Sequence, residues 1–304
     1  MKVVSVVGGL GSQMMAYGLY LSLKKAYPNE PIILDFSSYL KYGRSDHNGA
    51  ELNQIFGIYE DSAPSWLAYV LHSRSILSRL LRYALPRIRI FRLHRAEHAR
   101  YNYDQSVFLQ NRGLVVFDQC WTSWKYFEKI DSHLRETLKF PNFSDPRNLQ
   151  IAQRMRQTES VAIHVRRGDY LSSHALGGLI GLSYYIDGIE YIKQKLHRPA
   201  FFLFSDDPIW CRENLLPHLD GHSQIVDWNK SKESYVDMQL MTCCKHHIIP
   251  NSSFSWWGAY LGKHEDQLVI TPRVWVRPES GLEMKDMNLP QWHEIDNLSS
   301  RTTT

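Results

Sequence analysis

Long apolar runs are the first thing missing from this 304-residue chain. No stretch approaches the roughly 18 consecutive apolar residues of a membrane-spanning helix. The opening Met1-Lys2-Val3-Val4-Ser5-Val6-Val7-Gly8 is too short and too early for a signal-peptide core. Both absences suit a cytosolic protein. Cysteine is scarce, with only Cys120, Cys211, Cys243 and Cys244, no C-x-x-C spacing, and an adjacent pair that cannot easily bridge itself. These read as buried thiols rather than a disulfide framework. There is no D-x-D and no His/Cys cluster at metal-ligand spacing, and the consecutive His246-His247 would point to opposite faces of a strand. No metal is therefore expected. The phosphate loop G-x-x-x-x-G-K-[ST] is also missing. Acid is absent from residues 62–96, which hold seven arginines and no lysine, so a chain of net charge +4 carries −3 over its other residues.

What is present, 43% hydrophobic and 22% charged residues, suffices for a full core. At about 150 residues per domain the length suggests two domains. Short β-branched runs alternate with longer amphipathic stretches, the pattern of an α/β fold with mostly parallel sheets. Strands are expected at 3–7, 32–35, 114–118, 161–166, 201–205, 224–226, 246–249 and 268–271, and helices at 12–27, 66–83, 126–139, 183–196, 233–244 and 254–263. Two prolines and several turn formers in Phe140-Pro141-Asn142-Phe143-Ser144-Asp145-Pro146 mark a boundary, giving domains 1–145 and 146–304.

Four segments carry candidate chemistry. Gly8-Gly9-Leu10-Gly11-Ser12-Gln13 follows the first strand and opens a helix, offering either an anion or sugar platform or an ordinary tight turn. Met14 breaks the dinucleotide fingerprint. Val161-Ala162-Ile163-His164-Val165-Arg166-Arg167-Gly168-Asp169-Tyr170 is an apolar strand ending in a charged tip, where ligands of open α/β sheets sit. Two arginines there suit phosphate, while an Arg–Asp pair closing the loop is compatible with that. Ile248-Ile249-Pro250-Asn251-Ser252-Ser253-Phe254-Ser255-Trp256-Trp257 again runs from strand to helix, so its hydroxyls are either helix caps or neighbours of an anion, and its tryptophans read as packing. Phe204-Ser205-Asp206-Asp207 is a third polar strand end.

Together, G-G-L-G-S-Q at 8–13, H-V-R-R-G-D-Y at 164–170 and N-S-S-F-S-W-W-G-A at 251–259 closely resemble the alpha-1,2-fucosyltransferase family, with His47-Asn48-Gly49-Ala50-Glu51-Leu52, Tyr184-Tyr185, Phe204-Ser205-Asp206-Asp207 and Tyr235-Val236-Asp237-Met238 in the family's order. The resemblance implies a GT-B architecture of two Rossmann-like domains facing across a cleft, the second binding the sugar nucleotide. It implies inverting, metal-independent transfer of fucose from GDP-fucose to O2 of a terminal β-galactoside, with no cofactor beyond that donor substrate. By the resemblance Arg166 holds the diphosphate with Arg167 in support, and His164, Asp169 and Tyr170 complete that motif. By a more distant similarity to alpha-1,6-fucosyltransferases, Asp237 matches a carboxylate reading guanine and Ser252, Ser253 and Phe254 match a turn on the phosphates, while Gly9, Gly11, Ser12, Gln13, Ser205, Asp206 and Asn251 fall within motifs placed with the donor. Candidates for a general base are Asp169, His47 and Glu51. Ser12 departs from the family's usual asparagine. A related transferase, such as an alpha-1,6-fucosyltransferase or one using another deoxy sugar, is the nearest alternative, and a non-catalytic carbohydrate-binding protein another.

The arginine-rich residues 66–95 mix aromatic and aliphatic side chains with unopposed positive charge. They read either as a solvated helix or as a peripheral contact with the inner face of an anionic membrane beside a lipid-linked acceptor. Nucleic acid is not an expected partner, because one basic patch explains neither polar strand tip of the second domain.

Overall fold

The computed structural model describes residues 1–40, 48–59, 63–85, 91–95, 101–109, 113–118, 120–219, 222–262 and 264–298, the side chains of 40 and 91–95 excepted. The chain divides into two compact units, Met1–Pro141 and Asn142–Thr304.

The first unit contains β1 (Lys2–Ser5), α1 (Leu10–Ala26), β2 (Ile32–Asp35), α2 (Ser37–Leu40), α3 (Glu51–Phe56), α4 (Ser65–His72), α5 (Ile76–Ala84), β3 (Phe91–Arg95), β4 (Leu114–Asp118) and α6 (Asp131–Thr137). Its strands form one parallel sheet in the order β2-β1-β4-β3. β1 lies inside the sheet and is buried throughout, as its Val-rich sequence requires. Even Lys2 is enclosed, its ammonium paired with Glu30 at 2.5 Å and lying 3.7 Å from the centre of the Tyr27 ring. Leu67 and Leu71 of α4 pack with Ala63, Val3 and Val116 on one face of the sheet.

The expected helix at 66–83 is two helices. Ser73 adopts an extended conformation between α4 and α5, and Ser75 caps α5 by accepting from the Ser78 N–H at 3.1 Å. Three serines at 73, 75 and 78 outweigh the apolar pattern locally, because their hydroxyls satisfy backbone groups in the break.

The second unit contains α7 (Pro146–Gln157), β5 (Ser160–Val165), α8 (Leu182–Lys195), β6 (Ala200–Ser205), α9 (Pro208–Trp210), β7 (Ser223–Val226), α10 (Tyr235–Met241), β8 (His246–Ile248), α11 (Ser253–Leu261), β9 (Val269–Pro272) and β10 (His293–Ile295). All six strands are parallel, in the order β10-β9-β8-β5-β6-β7. Alternation along β5 and β6 divides the core: Val161, Ile163, Phe201 and Leu203 face α8, while Ala162, Phe202 and Phe204 pack with Val236 and Leu240 of α10. Trp256 and Trp257 are fully buried, the Trp256 indole N–H donating to the Met287 carbonyl at 2.7 Å.

The division between the units falls just before Phe143, whose ring packs with the second unit's core. Asp145 and Pro146, read above as boundary residues, begin α7: the Asp145 carboxylate caps the Arg147 N–H at 2.8 Å and Pro146 occupies the first turn.

Candidate functional site

In a parallel sheet every strand leaves by the same edge, and a ligand crevice forms where the strand order reverses direction. In the second unit that point lies between β5, followed on one side by β6, and β8, which returns on the other. The residues after β5, β6, β7 and β8 therefore share one edge. They include nearly every candidate that the sequence placed in this unit.

Arg166 leaves β5 with its guanidinium held between two carboxylates, Nη2 at 2.8 Å from Asp169 and Nη1 at 3.1 Å from Asp206. Five N–H donors belong to that fork, so these two pairings leave capacity for an oxyanion. Arg167 pairs through Nε with Asp207 at 3.2 Å, lies 4.4 Å from the Trp210 ring, and donates its backbone N–H to Asp206 at 2.9 Å. The Arg–Asp loop closure is thus real, and it fixes the orientation of the arginines. Gly168 leaves room for it: a Cβ there would stand 2.9 Å from Asp206 Oδ2, and the carboxylate would have to shift. The Ser205 hydroxyl accepts from the Asp207 N–H at 2.9 Å and shapes the same turn.

After β8, the Asn251 amide donates to the carbonyls of Leu176 and Trp275, and its own carbonyl accepts from the Tyr170 hydroxyl at 3.2 Å. The Asn251 side chain is a clamp on neighbouring loops. Ser252 stands at the N-cap of α11, yet no side chain caps that helix; its hydroxyl pairs with Tyr170 instead. Burial raises the Tyr170 pKa, which keeps the phenol neutral and able to donate. Ser253 and Phe254 open the helix, and the Phe254 ring lies 5.7 Å from the His164 imidazole.

His164 is buried at the end of β5 with no hydrogen-bond partner on Nδ1. Burial, reinforced by the Arg166 charge, pushes its pKa down to about 3, so it is a neutral imidazole with an unused nitrogen. Asp237, in the first turn of α10, is the opposite case. Burial raises its carboxyl to about 7 against the opposing Asn229 hydrogen bond, with the Asp227 charge adding to the rise. The Asn229 amide donates to Asp237 Oδ1 at 2.8 Å; Asn148 donates to Asn229 at 2.8 Å, and the Trp228 indole donates to Asn148 at 2.8 Å. The sequence reading missed Asn148, Trp228 and Asn229, although Trp228 and Asn229 follow β7 at the edge where open α/β sheets bind ligands, and the strand-tip rule would have found them.

The first unit treats its candidates differently. Gly8 has φ of 77°, and a Cβ on it would lie 3.1 Å from that of Ser12. Gly9 is the N-cap of α1, followed in the first turn by Gly11 and Ser12, the latter's hydroxyl pairing with Cys120. Gln13 is fully buried and is a strut: its amide donates to the carbonyls of Gly8 at 3.0 Å and Gly49 at 2.7 Å and accepts from the Glu51 N–H at 2.9 Å. Glu51, nearly buried at the start of α3, accepts from the Asn48 amide at 3.2 Å. His47 lies outside the described residues. Among the described residues no group of three or more His, Cys, Asp or Glu side chains is placed to hold a metal ion.

Residues 82–296 match the family model for glycosyl transferase family 11. The chain is 31% identical over 300 residues to an alpha-1,2-colitosyltransferase of Escherichia coli, covering 97% of this chain and 98% of that one. It is 29% identical over 302 residues to the O-antigen biosynthesis glycosyltransferase WbnK of the same organism, covering 94% and 97%. A galactoside 2-alpha-L-fucosyltransferase of Caenorhabditis elegans is 30% identical over 173 residues, 52% of this chain and 46% of that one. Among solved structures, the fucosyltransferase NodZ from Bradyrhizobium superposes with a TM-score of 0.51 at 14% identity, covering 85% of this chain and 91% of that one, and has the GT-B fold.

Proposed function

This chain belongs to glycosyl transferase family 11 and is a glycosyltransferase of GT-B fold, and from that premise we propose that it moves L-fucose from GDP-fucose to O2 of a terminal β-galactoside with inversion at the anomeric carbon. Family membership sets aside the non-catalytic carbohydrate-binding reading. One observation carries the donor assignment: at a single strand-order reversal the oriented Arg166 fork lies 5.7 Å from the Tyr170 ring, whose hydroxyl donates to the Asn251 carbonyl just before the start of α11, a helix without a side-chain cap.

As the acceptor hydroxyl oxygen bonds to C1, the bond from C1 to the diphosphate oxygen breaks, negative charge collects on the β-phosphate, and the hydroxyl proton passes to solvent water. Arg166, with Arg167 in support, and the backbone N–H groups of Ser253 and Phe254 would receive that charge, a task preorganised donors perform without reorganisation. No metal is needed in this scheme. Asp237 would accept from guanine N1–H and N2–H, donors that adenine does not present in that arrangement. His164, neutral and with Nδ1 unused, lines the same site. Asp169 buttresses Arg166 rather than acting as the base.

A second reading concerns the donor sugar: a relative covering the whole chain is named a colitosyltransferase, so a deoxy relative of fucose is the competing donor. The test is a mass-spectrometric transfer assay with GDP-fucose and GDP-colitose against a panel of terminal β-galactosides, with and without EDTA, followed by linkage analysis. EDTA-resistant product fucosylated at galactose O2 is expected. Transfer from GDP-colitose alone replaces the donor sugar, another linkage replaces the acceptor position, and failure to bind GDP overturns the site.

A further inference from the structure

The helix α5 (Ile76–Ala84) is turned inside out. Set at 100° per residue, Ser78, Leu81, Arg82 and the following Leu85 share one face, while Tyr83, Ile76, Leu80, Ala84 and Leu77 form a stripe on the other. The first face meets the protein. Arg82 Nη1 donates to the carbonyls of Val70, Leu71 and Ser73 at 2.7, 3.1 and 3.0 Å, and the buried Ser78 hydroxyl donates to the Ser73 carbonyl at 2.8 Å. Leu85 packs on the core cluster beneath α4. The apolar stripe faces outward: Ile76 is 78% exposed, Leu77 59%, Leu80 61% and Tyr83 70%, with Trp66 of α4 at 53%. An ordinary surface helix places these two faces the other way round. Here polar groups lock the helix in place and present its apolar residues.

We propose that this stripe docks the protein on the surface of a membrane rich in anionic phospholipid. The charge pattern selects that occupant. Residues 62–96 carry no acid, and of their arginines the exposed Arg74 and Arg79 bracket the start of the stripe, whereas Arg82 is turned inward. A second copy meeting the first through this face would set like charges against each other, whereas anionic headgroups complement them while the acyl boundary covers the leucines. Nine residues rise about 13 Å along a helix, far short of the roughly 30 Å hydrocarbon core, so the contact is interfacial. No described helix is long and apolar enough to cross a membrane. This inference is independent of the donor assignment.

Vesicle co-sedimentation tests it, using phosphatidylcholine liposomes with and without phosphatidylglycerol and the full chain as wild type, Leu77→Gln/Leu80→Gln and Arg74→Gln/Arg79→Gln. Wild type is expected to bind only the anionic vesicles and to be released by high salt. Each arginine near such a surface adds roughly fivefold to partitioning, so the arginine variant weakens binding by more than about tenfold and the leucine variant by a similar factor. Both variants should retain wild-type melting temperature and GDP affinity, because none of the four residues belongs to the donor site. Absence of binding, equal binding to uncharged vesicles, or variants that bind like wild type overturns the proposal. A concentration-dependent dimer abolished by Leu77→Gln/Leu80→Gln assigns the stripe to a second copy and overturns it too.

Discussion

Burial holds the Asp237 carboxyl near pH 7, so its charge changes within the range where the enzyme would work. The sign of the effect follows from which form binds. On the proposed guanine contact the N–H donors need the carboxylate, so GDP affinity is expected to rise with pH and to fall by up to about tenfold per unit below pH 7. In the empty protein the linkage runs the other way: a carboxyl raised above its unfolded value favours the folded state below about pH 4, an advantage lost as pH rises through 7. Calorimetric titration with GDP between pH 5.5 and about 8.5 checks this, with Asp237→Asn as the reference that removes the group while leaving phosphate titration in place. The Asn229 hydrogen bond opposes the rise, so Asn229→Ala should move the binding midpoint above that of wild type. An unchanged midpoint would make the Asn148-Asn229 pair mere packing. At Arg166, lysine substitutes a point charge for the fork, and a loss of about 10²–10³ in kcat is expected, measured by donor turnover; activity within a few-fold of wild type would remove Arg166 from the leaving-group role.

Two local structures depend on single residues in ways that unfolding and binding experiments can read. The buried Asp35 carboxylate at the end of β2 accepts from the Ser37 hydroxyl, the N–H groups of Ser37 and Ala63, and His72 at the end of α4, at 3.0 Å for the histidine. Burial alone would raise its pKa, but these donors together hold it below the usual carboxylate value. A depressed carboxyl stabilises above its unfolded pKa, and that contribution is lost as pH falls through the folded value. His72→Ala should therefore destabilise the first unit by about 2–4 kcal/mol and reduce its acid sensitivity, seen in urea midpoints at neutral and low pH. In the loop after β5, Gly168→Ala forces Asp206 away from Arg166 and from the Arg167 N–H. Circular dichroism should stay native while GDP affinity falls by about tenfold, the size of one charge-assisted contact. These same elements show how far a pattern can be read. Strands β2 and β4 match their expected bounds, since buried β-branched runs have few alternatives. α7 went unread because Asp145 and Pro146 serve a turn and a helix start equally well, and β3 because its alternation is hidden among arginines.

At the scale of the molecule, GDP should slow amide exchange in the second unit at 166–170, 228–237 and 251–255, the segments gathered at the reversal of strand order. Hydrogen-exchange mass spectrometry tests that directly, and protection confined to other segments would move the donor. The polar strand tips of this unit were legible because charge density at the end of an apolar run is a local signal. The Asn148-Trp228-Asn229 relay was not, since its members lie about 80 positions apart and only folding brings them together. Nor could the sequence show that Gln13 is consumed as a strut, because its partners at 49–52 lie 36–39 positions away, beyond β2 and α2. The uniform direction of the six-stranded sheet has a practical consequence for anyone altering this protein. The candidate loops of this unit leave by one rim, and the described strand starts on the opposite rim carry no candidate site residue. His197 and Arg198, exposed just before β6 on that far side, are the place for a fluorophore, a surface tether or a new pair of chain ends that leaves the working rim untouched.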